Sequence, residues 1–272
     1  MAIDKRDPDE LAFLATYDAS AYPHPSVAVD VVLLTVASGG IRTLLLRRSH
    51  QPQLGRWAAP GGFLGIDESL DGAAARVLAT KAGLEAVFTE QLYTFGDPGR
   101  DTRTRVIRIV YYALVDAARL GAAVAARGDS GLALADVVCP ADGEDGALEV
   151  RDAGGAVLPL AFDHDRVLAT AVARIRGKLD YAAIGFELLP EMFTLRDLRL
   201  VHEAILGRPL NKDSFRRKVL DRGLVVATGE RLEGVGHRPP ELYRFARPTG
   251  HRARLSPWTC RCLPRSWSPL PW

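Results

Sequence analysis

A glycine-rich loop that leads directly into a short helix limits most strongly what this chain can fold into. The loop contains Pro60-Gly61-Gly62, and the next residues predict a helix from about Ser69 to Ala82 that ends at Gly83. Runs of β-branched and apolar residues lie on both sides of this unit. They predict a hairpin around Ser38-Gly39-Gly40 and two later strands, over 27–37, 41–47, 87–95 and 105–115. The pattern is typical of an α/β domain.

The loop and helix resemble the Nudix box, in which a glycine, a glutamate, an arginine and a second glycine stand at fixed spacing. The matching positions are Gly62, Glu68, Arg76, Leu78, Gly83 and Leu84. The family places three glutamates after the arginine, and this chain has Val77, Thr80 and Lys81 there. Since these positions are spaced i, i+3 and i+4, we expect them to share one helix face. Magnesium needs oxygen ligands, so the sequence predicts a domain that does not hydrolyse its ligand and holds no magnesium.

A diphosphate group can still be bound without a metal. Lys81 and Arg76 would supply positive charge, and the amides of Gly61 and Gly62 could approach phosphate closely. Alternatively, Glu68 and Arg76 only pair with each other and hold the loop in shape. The segment 91–105 resembles that of Nudix proteins that handle ADP-ribose-like ligands. This resemblance implies that Arg100, Arg103 or Arg105 contacts phosphate or ribose and that Tyr93 or Phe95 lies near the adenine. Of these, Phe95, Arg100 and Arg105 are the predicted ligand residues. A solvated arginine face is the alternative.

A helix–turn–helix pattern follows in the last third of the chain. Thr194 and Asp197 form a capping-box-like start, Gly207 ends the first helix, and Asn211 can cap a second helix that extends to Arg222. Between residues 208 and 222 there are six basic and two acidic residues, a local charge of +4. Two short strands around a loop then predict a wing. We expect DNA contacts from Arg208, Asn211, Lys212, Ser214, Arg216, Arg217, Lys218, His237 and Arg238. A solvated basic face used for protein contacts is the alternative.

The two units together resemble the NrtR family, the Nudix-related transcriptional regulators of NAD metabolism. The resemblance covers roughly residues 20–245, and it is carried by Phe162-Asp-His-Asp, Arg176-Gly-Lys-Leu-Asp-Tyr, Leu206-Gly-Arg-Pro-Leu-Asn-Lys and Gly236-His-Arg-Pro-Pro-Glu-Leu-Tyr-Arg-Phe. It implies a homodimeric repressor that reads a palindromic DNA operator and responds to an ADP-ribose-like effector, with no cofactor required. The expected fold is a Nudix α/β/α sandwich with a mixed sheet, followed by a winged helix. The predicted transmitter between the two units is the helix over 163–181.

Composition sets the remaining expectations. With 272 residues, 47% of them hydrophobic and 25% charged, the chain is long enough for two domains, and its net charge of +2 does not by itself indicate nucleic acid. The predicted division is an N-terminal segment (1–20), a Nudix-like domain (21–182), a winged helix (183–248) and a disordered or aberrant tail (249–272). Three cysteines form no disulfide framework, and no membrane span or signal peptide is predicted, so a cytoplasmic protein is expected.

Two other functions fit parts of the sequence. A divergent Nudix hydrolase would release AMP or phosphate from ADP-ribose or a related compound in a magnesium-dependent reaction. A Nudix-fold module for protein interaction would show neither turnover nor DNA binding. The absence of carboxylates at positions 77, 80 and 81 counts against the hydrolase.

Overall fold

A computed structural model describes residues 7–128, 131–139, 148–179, 181–232 and 239–246. Its central feature is a mixed sheet around strands β1 (Ser26–Ala37) and β2 (Gly40–Arg47). These two strands form the predicted hairpin, with Ala37 opposite Gly40 and positive φ angles at Ser38 and Gly39. Such angles match the right-handed twist of the paired strands.

The other strands of the sheet are β3 (Trp57–Ala58), β4 (Gly61–Phe63), β5 (Phe88–Phe95), β6 (Val106–Leu114), β7 (Leu132–Val138) and β8 (Glu149–Arg151). The sheet has the order β5-β6-β1-β2-β7-β8, with β3 paired to β2 and β4 paired to β1. Strands β1 and β6 are parallel and the other strand pairs are antiparallel, so the predicted mixed sheet is confirmed.

Helices cover both faces of the sheet because strand side chains alternate between the faces. Val29, Val31 and Leu33 of β1 pack with helices α2 (Leu70–Val77) and α3 (Ala117–Ala125). Val32 and Leu34 pack on the opposite face with α4 (His164–Lys178) and α5 (Leu195–Leu206). This arrangement is the expected α/β/α sandwich.

Two local predictions were wrong. The weak periodicity of residues 116–155 predicts a partly ordered loop with one strand near 132–138, but the segment also contains α3 and the short strand β8. Asp116 caps α3, and Leu120 is fully buried, so packing stabilises a helix whose alanine-rich sequence shows weak periodicity. The expected loop at Gly61–Phe63 is strand β4, which pairs with β1.

The C-terminal unit has its own small core. A 3₁₀ helix (Ala183–Leu188), α5, α6 (Lys212–Asp221) and the hairpin of β9 (Val225–Arg231) and β10 (Glu241–Phe245) bury Phe186, Phe193, Leu198, Val219 and Tyr243 together. At the other end of the chain, helix α1 (Pro8–Thr16) buries none of its side chains. Within the described residues, no helix has the length and apolarity needed to cross a bilayer.

Candidate functional site

Glu68 and Arg76 form a paired clamp between the loop after β4 and helix α2. Both carboxylate oxygens of Glu68 accept hydrogen bonds from the Arg76 guanidinium, at 2.7 and 2.8 Å, and one of them also accepts from the Gly65 amide. These hydrogen bonds lower the pKa of Glu68 to about 2. Arg76 also donates to the carbonyl of Phe63. The pairing that the sequence left as the structural alternative is therefore present, and both side chains are engaged.

The three positions after Arg76 do not share one helix face, so this expectation was wrong. Val77 is buried in the core beneath α2, whereas Thr80 and Lys81 are exposed. The helix widens into a π turn at Leu78–Ala82, and this turn changes the angular spacing of the side chains. The Thr80 hydroxyl donates to the carbonyl of Arg76. Of positions 77, 80 and 81, only Thr80 and Lys81 face an open space beside the sheet.

That space is a cleft of about 430 Å³ between β2, β3, β4 and the π turn. Its positive charges come from Arg47, Arg48, Lys81 and Arg127, and none of the described residues that line it is acidic. Arg127 is fixed at the end of the π turn, where it donates to the carbonyls of Ala79, Thr80 and Lys81. A concave surface with this charge favours an anion with several oxygens, such as a diphosphate.

The residues of this region do not match the ligand preferences of magnesium. Mg²⁺ prefers carboxylate and water oxygens, but Lys81 stands in the cleft and both oxygens of Glu68 are held by Arg76. Among the described residues, no group of three or more histidine, cysteine, aspartate or glutamate side chains could hold a metal ion. A metal-dependent step cannot be derived from this set of side chains.

The structure separates the residues predicted to bind the ligand. Gly61 and Lys81 line the cleft, whereas Gly62 lies beside Arg76. Gly61 must be glycine because a Cβ atom there would lie 1.8 Å from Asp30 Oδ1. Arg105 is exposed on the surface before β6.

Phe95, the last residue of β5, and Arg100, in the loop after it, contact the start of α4. Phe95 is buried, with Arg100 and Arg166 near its ring. Arg100 donates to both oxygens of Asp163, at 3.1 and 2.5 Å, and its side chain is only 2% exposed. The predicted residues therefore occupy the cleft, the Glu68 clamp, the start of α4 and the open surface.

Sequence reasoning missed a buried polar cluster at the start of α4. Arg108 Nη1 lies 2.8 Å from Asp30 Oδ2 and 2.7 Å from His164 Nε2, and His164 Nδ1 accepts from the Ala59 amide. Burial raises the pKa of Asp30 to about 6, and burial together with nearby arginines lowers the pKa of His164 well below its usual value. Single charged residues within the apolar runs of β1 and β6 are the sequence signal that could have revealed it.

The winged-helix unit presents its basic side chains on several sides of α6. The capping box of Thr194 and Asp197 is present, and Asn211 caps α6, as predicted. Lys212 and Arg216 line a groove of about 710 Å³ between α6 and the β9–β10 hairpin, together with Arg196, Arg199 and Arg231, which the sequence analysis missed. Arg217 is exposed outside this groove.

A second cleft lies on the other flank of α6. It contains Arg208, Asn211, Ser214 and Lys218 from the predicted DNA-binding set. The apolar residues Phe215, Val219 and Leu220 predict one buried stripe on α6. This prediction was wrong at Leu220, which is exposed, because the helix packs through Phe215 and Val219. His237 and Arg238 lie outside the described residues.

Comparisons with known proteins match both units. The family model described as the NrtR DNA-binding winged helix domain matches residues 185–245, and the NUDIX domain model matches residues 24–136. The ADPR responsive transcriptional repressor NtrR of Acinetobacter baylyi is 34% identical over 239 residues, which are 87% of this chain and 88% of that protein. The chain belongs to the NrtR family.

The similarity to the NrtR family extends to solved structures. Shewanella oneidensis NrtR, crystallised with a 27mer DNA, is 33% identical with a TM-score of 0.67, and the match covers 80% of this chain and 93% of that one. An ADP-ribose pyrophosphatase of Methanocaldococcus jannaschii is 34% identical over 90 residues, which are 33% of this chain and 51% of that enzyme. The likeness to the repressors therefore spans both units, whereas the likeness to this enzyme covers a third of the chain.

Proposed function

We propose that the chain is a transcriptional repressor whose winged helix binds DNA and whose Nudix domain binds ADP-ribose, or a closely related nucleotide, without hydrolysing it. The observation that carries this proposal is the cationic cleft beside the π turn, where Lys81 and Arg127 line the wall and no lining residue among those described carries a carboxylate. The Acinetobacter relative named as ADPR responsive and the Shewanella relative crystallised with DNA support it.

The binding mode that we propose requires no metal. The diphosphate would lie in the cleft against Lys81, Arg127, Arg47 and Arg48, whose charges would replace those of the Mg²⁺ ions in a hydrolase. Because magnesium polarises the phosphate and positions the attacking water in the enzymes, a cleft without its ligands binds but does not cleave. Phe95, Arg100 and Arg105 remain proposed ligand contacts farther along the domain.

The proposed DNA contacts are shared by α6 and the hairpin that follows it. Lys212, Arg216 and Arg217 are exposed on α6, and His237 and Arg238 would add contacts from the wing. We propose a homodimer on a palindromic operator, with a Nudix-like domain over 21–182 and a winged helix over 183–248. We also propose that this regulator works in the cytoplasm.

The test combines DNA binding with an assay of hydrolysis. Fluorescence anisotropy with DNA from upstream of the protein's own gene should show specific binding that changes when ADP-ribose is added in the presence of EDTA. Incubation of ADP-ribose with the protein and Mg²⁺ should release no AMP. The proposal fails if ADP-ribose leaves the DNA affinity unchanged, or if AMP appears at the rates of an enzyme.

Calorimetry with ADP-ribose in EDTA tests the cleft itself. Lys81→Met should weaken binding roughly tenfold or more, since a charge-assisted hydrogen bond to phosphate is lost. Lys212→Met removes the same charge from the winged helix and should change ADP-ribose binding less than about twofold. Equal effects of the two substitutions would show that the nucleotide does not bind beside Lys81.

A hydrolase is the second candidate, and the partial identity to the ADP-ribose pyrophosphatase favours it. It predicts Mg²⁺-dependent AMP release by the unmodified protein. The same hydrolysis assay therefore decides between the two functions, and a protein-interaction module would give neither AMP release nor DNA binding.

A further inference from the structure

We propose that the chain has a second small-molecule site, separate from the Nudix cleft, which takes an amphipathic anion: an apolar chain or ring system that carries a carboxylate. The site is a cleft of about 600 Å³ between α5, the inner flank of α6 and the 3₁₀ helix at Ala183–Leu188. This volume falls within the range of cavities that hold small organic ligands.

The floor of the cleft is apolar. Leu179, Phe186, Leu198 and Val219 are each less than a tenth exposed, and Phe215 is partly buried beside them. His202 also lines the wall of the cleft. Its Nδ1 donates a hydrogen bond to the carbonyl oxygen of Leu198 at 2.9 Å, and its ring packs edge-on against Phe215. An occupant would therefore gain most of its binding free energy from the removal of apolar surface from water.

The mouth of the cleft is cationic. Arg208, Lys218 and Arg222 line it, and among the described residues of the lining no side chain carries a carboxylate. An apolar floor beneath a cationic mouth is complementary to a ligand with an apolar body and one anionic end.

The cleft lies on a different side of α6 from the groove beside the wing. Asn211, Ser214, Lys218 and Arg222 recur at intervals of three or four residues and face the cleft, whereas Lys212 and Arg216 face the groove. Because α6 forms one wall, an occupant would press directly on the helix that we propose to contact DNA. The cleft is therefore placed to report a second metabolite to the same helix.

Calorimetry on the full chain with decanoate, hexanoate and decanol tests the proposal. Decanoate should bind with a dissociation constant below about 1 mM. Hexanoate should bind more than tenfold more weakly, since each methylene contributes roughly a three- to fourfold change in affinity. Decanol should bind at least fivefold more weakly because it lacks the charge. Saturating ADP-ribose should leave decanoate binding in place, and displacement of decanoate would place it in the Nudix cleft and overturn the proposal.

Two pairs of substitutions locate the binding. Arg208→Glu at the mouth should weaken decanoate binding at least fivefold, whereas Arg217→Glu, on the exposed side of α6, should change it less than twofold. Ser214→Trp should block the cleft, and Leu220→Trp on the exposed face should not. Equal effects within both pairs, or no binding of decanoate to the unmodified chain, would overturn the proposal. Decanoate would fail to bind, for example, if a second copy of the chain covered the cleft.

Discussion

At the residue scale, Arg100 is a cation removed from water. Its side chain is 2% exposed and donates to both oxygens of Asp163, the residue at the start of α4. Arg100→Met leaves the carboxylate without its partner, so we expect the free energy of unfolding to fall by about 2–4 kcal/mol. Urea unfolding followed by circular dichroism measures this decrease in the free energy of unfolding. Arg105→Met removes an exposed arginine from the same loop and should cost less than about 0.5 kcal/mol. A loss for Arg100→Met as small as that for Arg105→Met would contradict the role of the pair.

His164 gives a second residue-scale prediction, in which pH is the variable. Its pKa is lowered in the folded chain, so the unfolded chain takes up a proton first as pH falls below about 6.5. His164 therefore contributes stability above that pH, and the contribution is lost on acidification. Asp30 acts in the opposite direction, because its raised pKa makes the folded chain bind a proton near pH 6.

Comparing His164→Gln with the unmodified chain separates the effect of His164 on the free energy of unfolding from that of Asp30. The free energy of unfolding of the variant, minus that of the unmodified chain, should increase by about 1 kcal/mol as pH falls from 6.5 to 5.5. Arg108, Arg100 and Arg48 face the same ring and stay charged throughout, and Asp30 is common to both proteins. Urea unfolding at each pH measures the difference. A difference independent of pH would mean that His164 is not held neutral in the fold.

At the element scale, α4 touches both units. Arg174 donates to the carbonyl of Leu92 and Lys178 pairs with Glu90, so one side of the helix is tied to β5 of the Nudix domain. Arg176 donates to the carbonyl of Ile205 at the end of α5. Helix α4 therefore contacts both the Nudix sheet and α5, and its role as a transmitter stays a prediction from the sequence.

We expect Arg176→Met to reduce the coupling between the two sites, provided that the proposed function holds. The ratio of DNA affinities without and with ADP-ribose should fall to less than about twofold from the five- to 150-fold range usual for allosteric proteins. Anisotropy titrations measure it. Arg174→Met also removes an arginine that donates to a carbonyl, but its partner Leu92 lies in the Nudix domain, so the ratio should persist. If both variants keep the full ratio, coupling does not pass through Arg176.

The elements also show how much the sequence could predict. The β1–β2 hairpin, the end of the π turn at Gly83 and the capping box of α5 were predicted because each depends on neighbouring residues. The helix α3 was missed because tertiary burial of Leu120 stabilises it. The shape of the cleft was also missed, since Arg47 and Arg127 are 80 positions apart along the sequence and meet only in the folded sheet. The π turn, which separates Val77 from Lys81, has no sequence signal of its own.

At the scale of the whole molecule, the net charge of +2 is small, and the DNA affinity must come from local charge on the winged helix. Each phosphate that a basic side chain neutralises releases counterions, so the logarithm of the affinity falls with the logarithm of the salt concentration with a slope of about 0.9 per contact.

In a homodimer, each substitution removes one contact from each of the two protomers. Arg217→Gln should therefore reduce the magnitude of this slope by about two if both protomers contact the operator, and by about one if a single protomer binds. Anisotropy titrations between 50 and 300 mM salt measure the slope, and Arg105→Gln in the Nudix domain should leave it unchanged. An unchanged slope for Arg217→Gln would exclude this side chain as a phosphate contact, and a change of one would contradict the dimer.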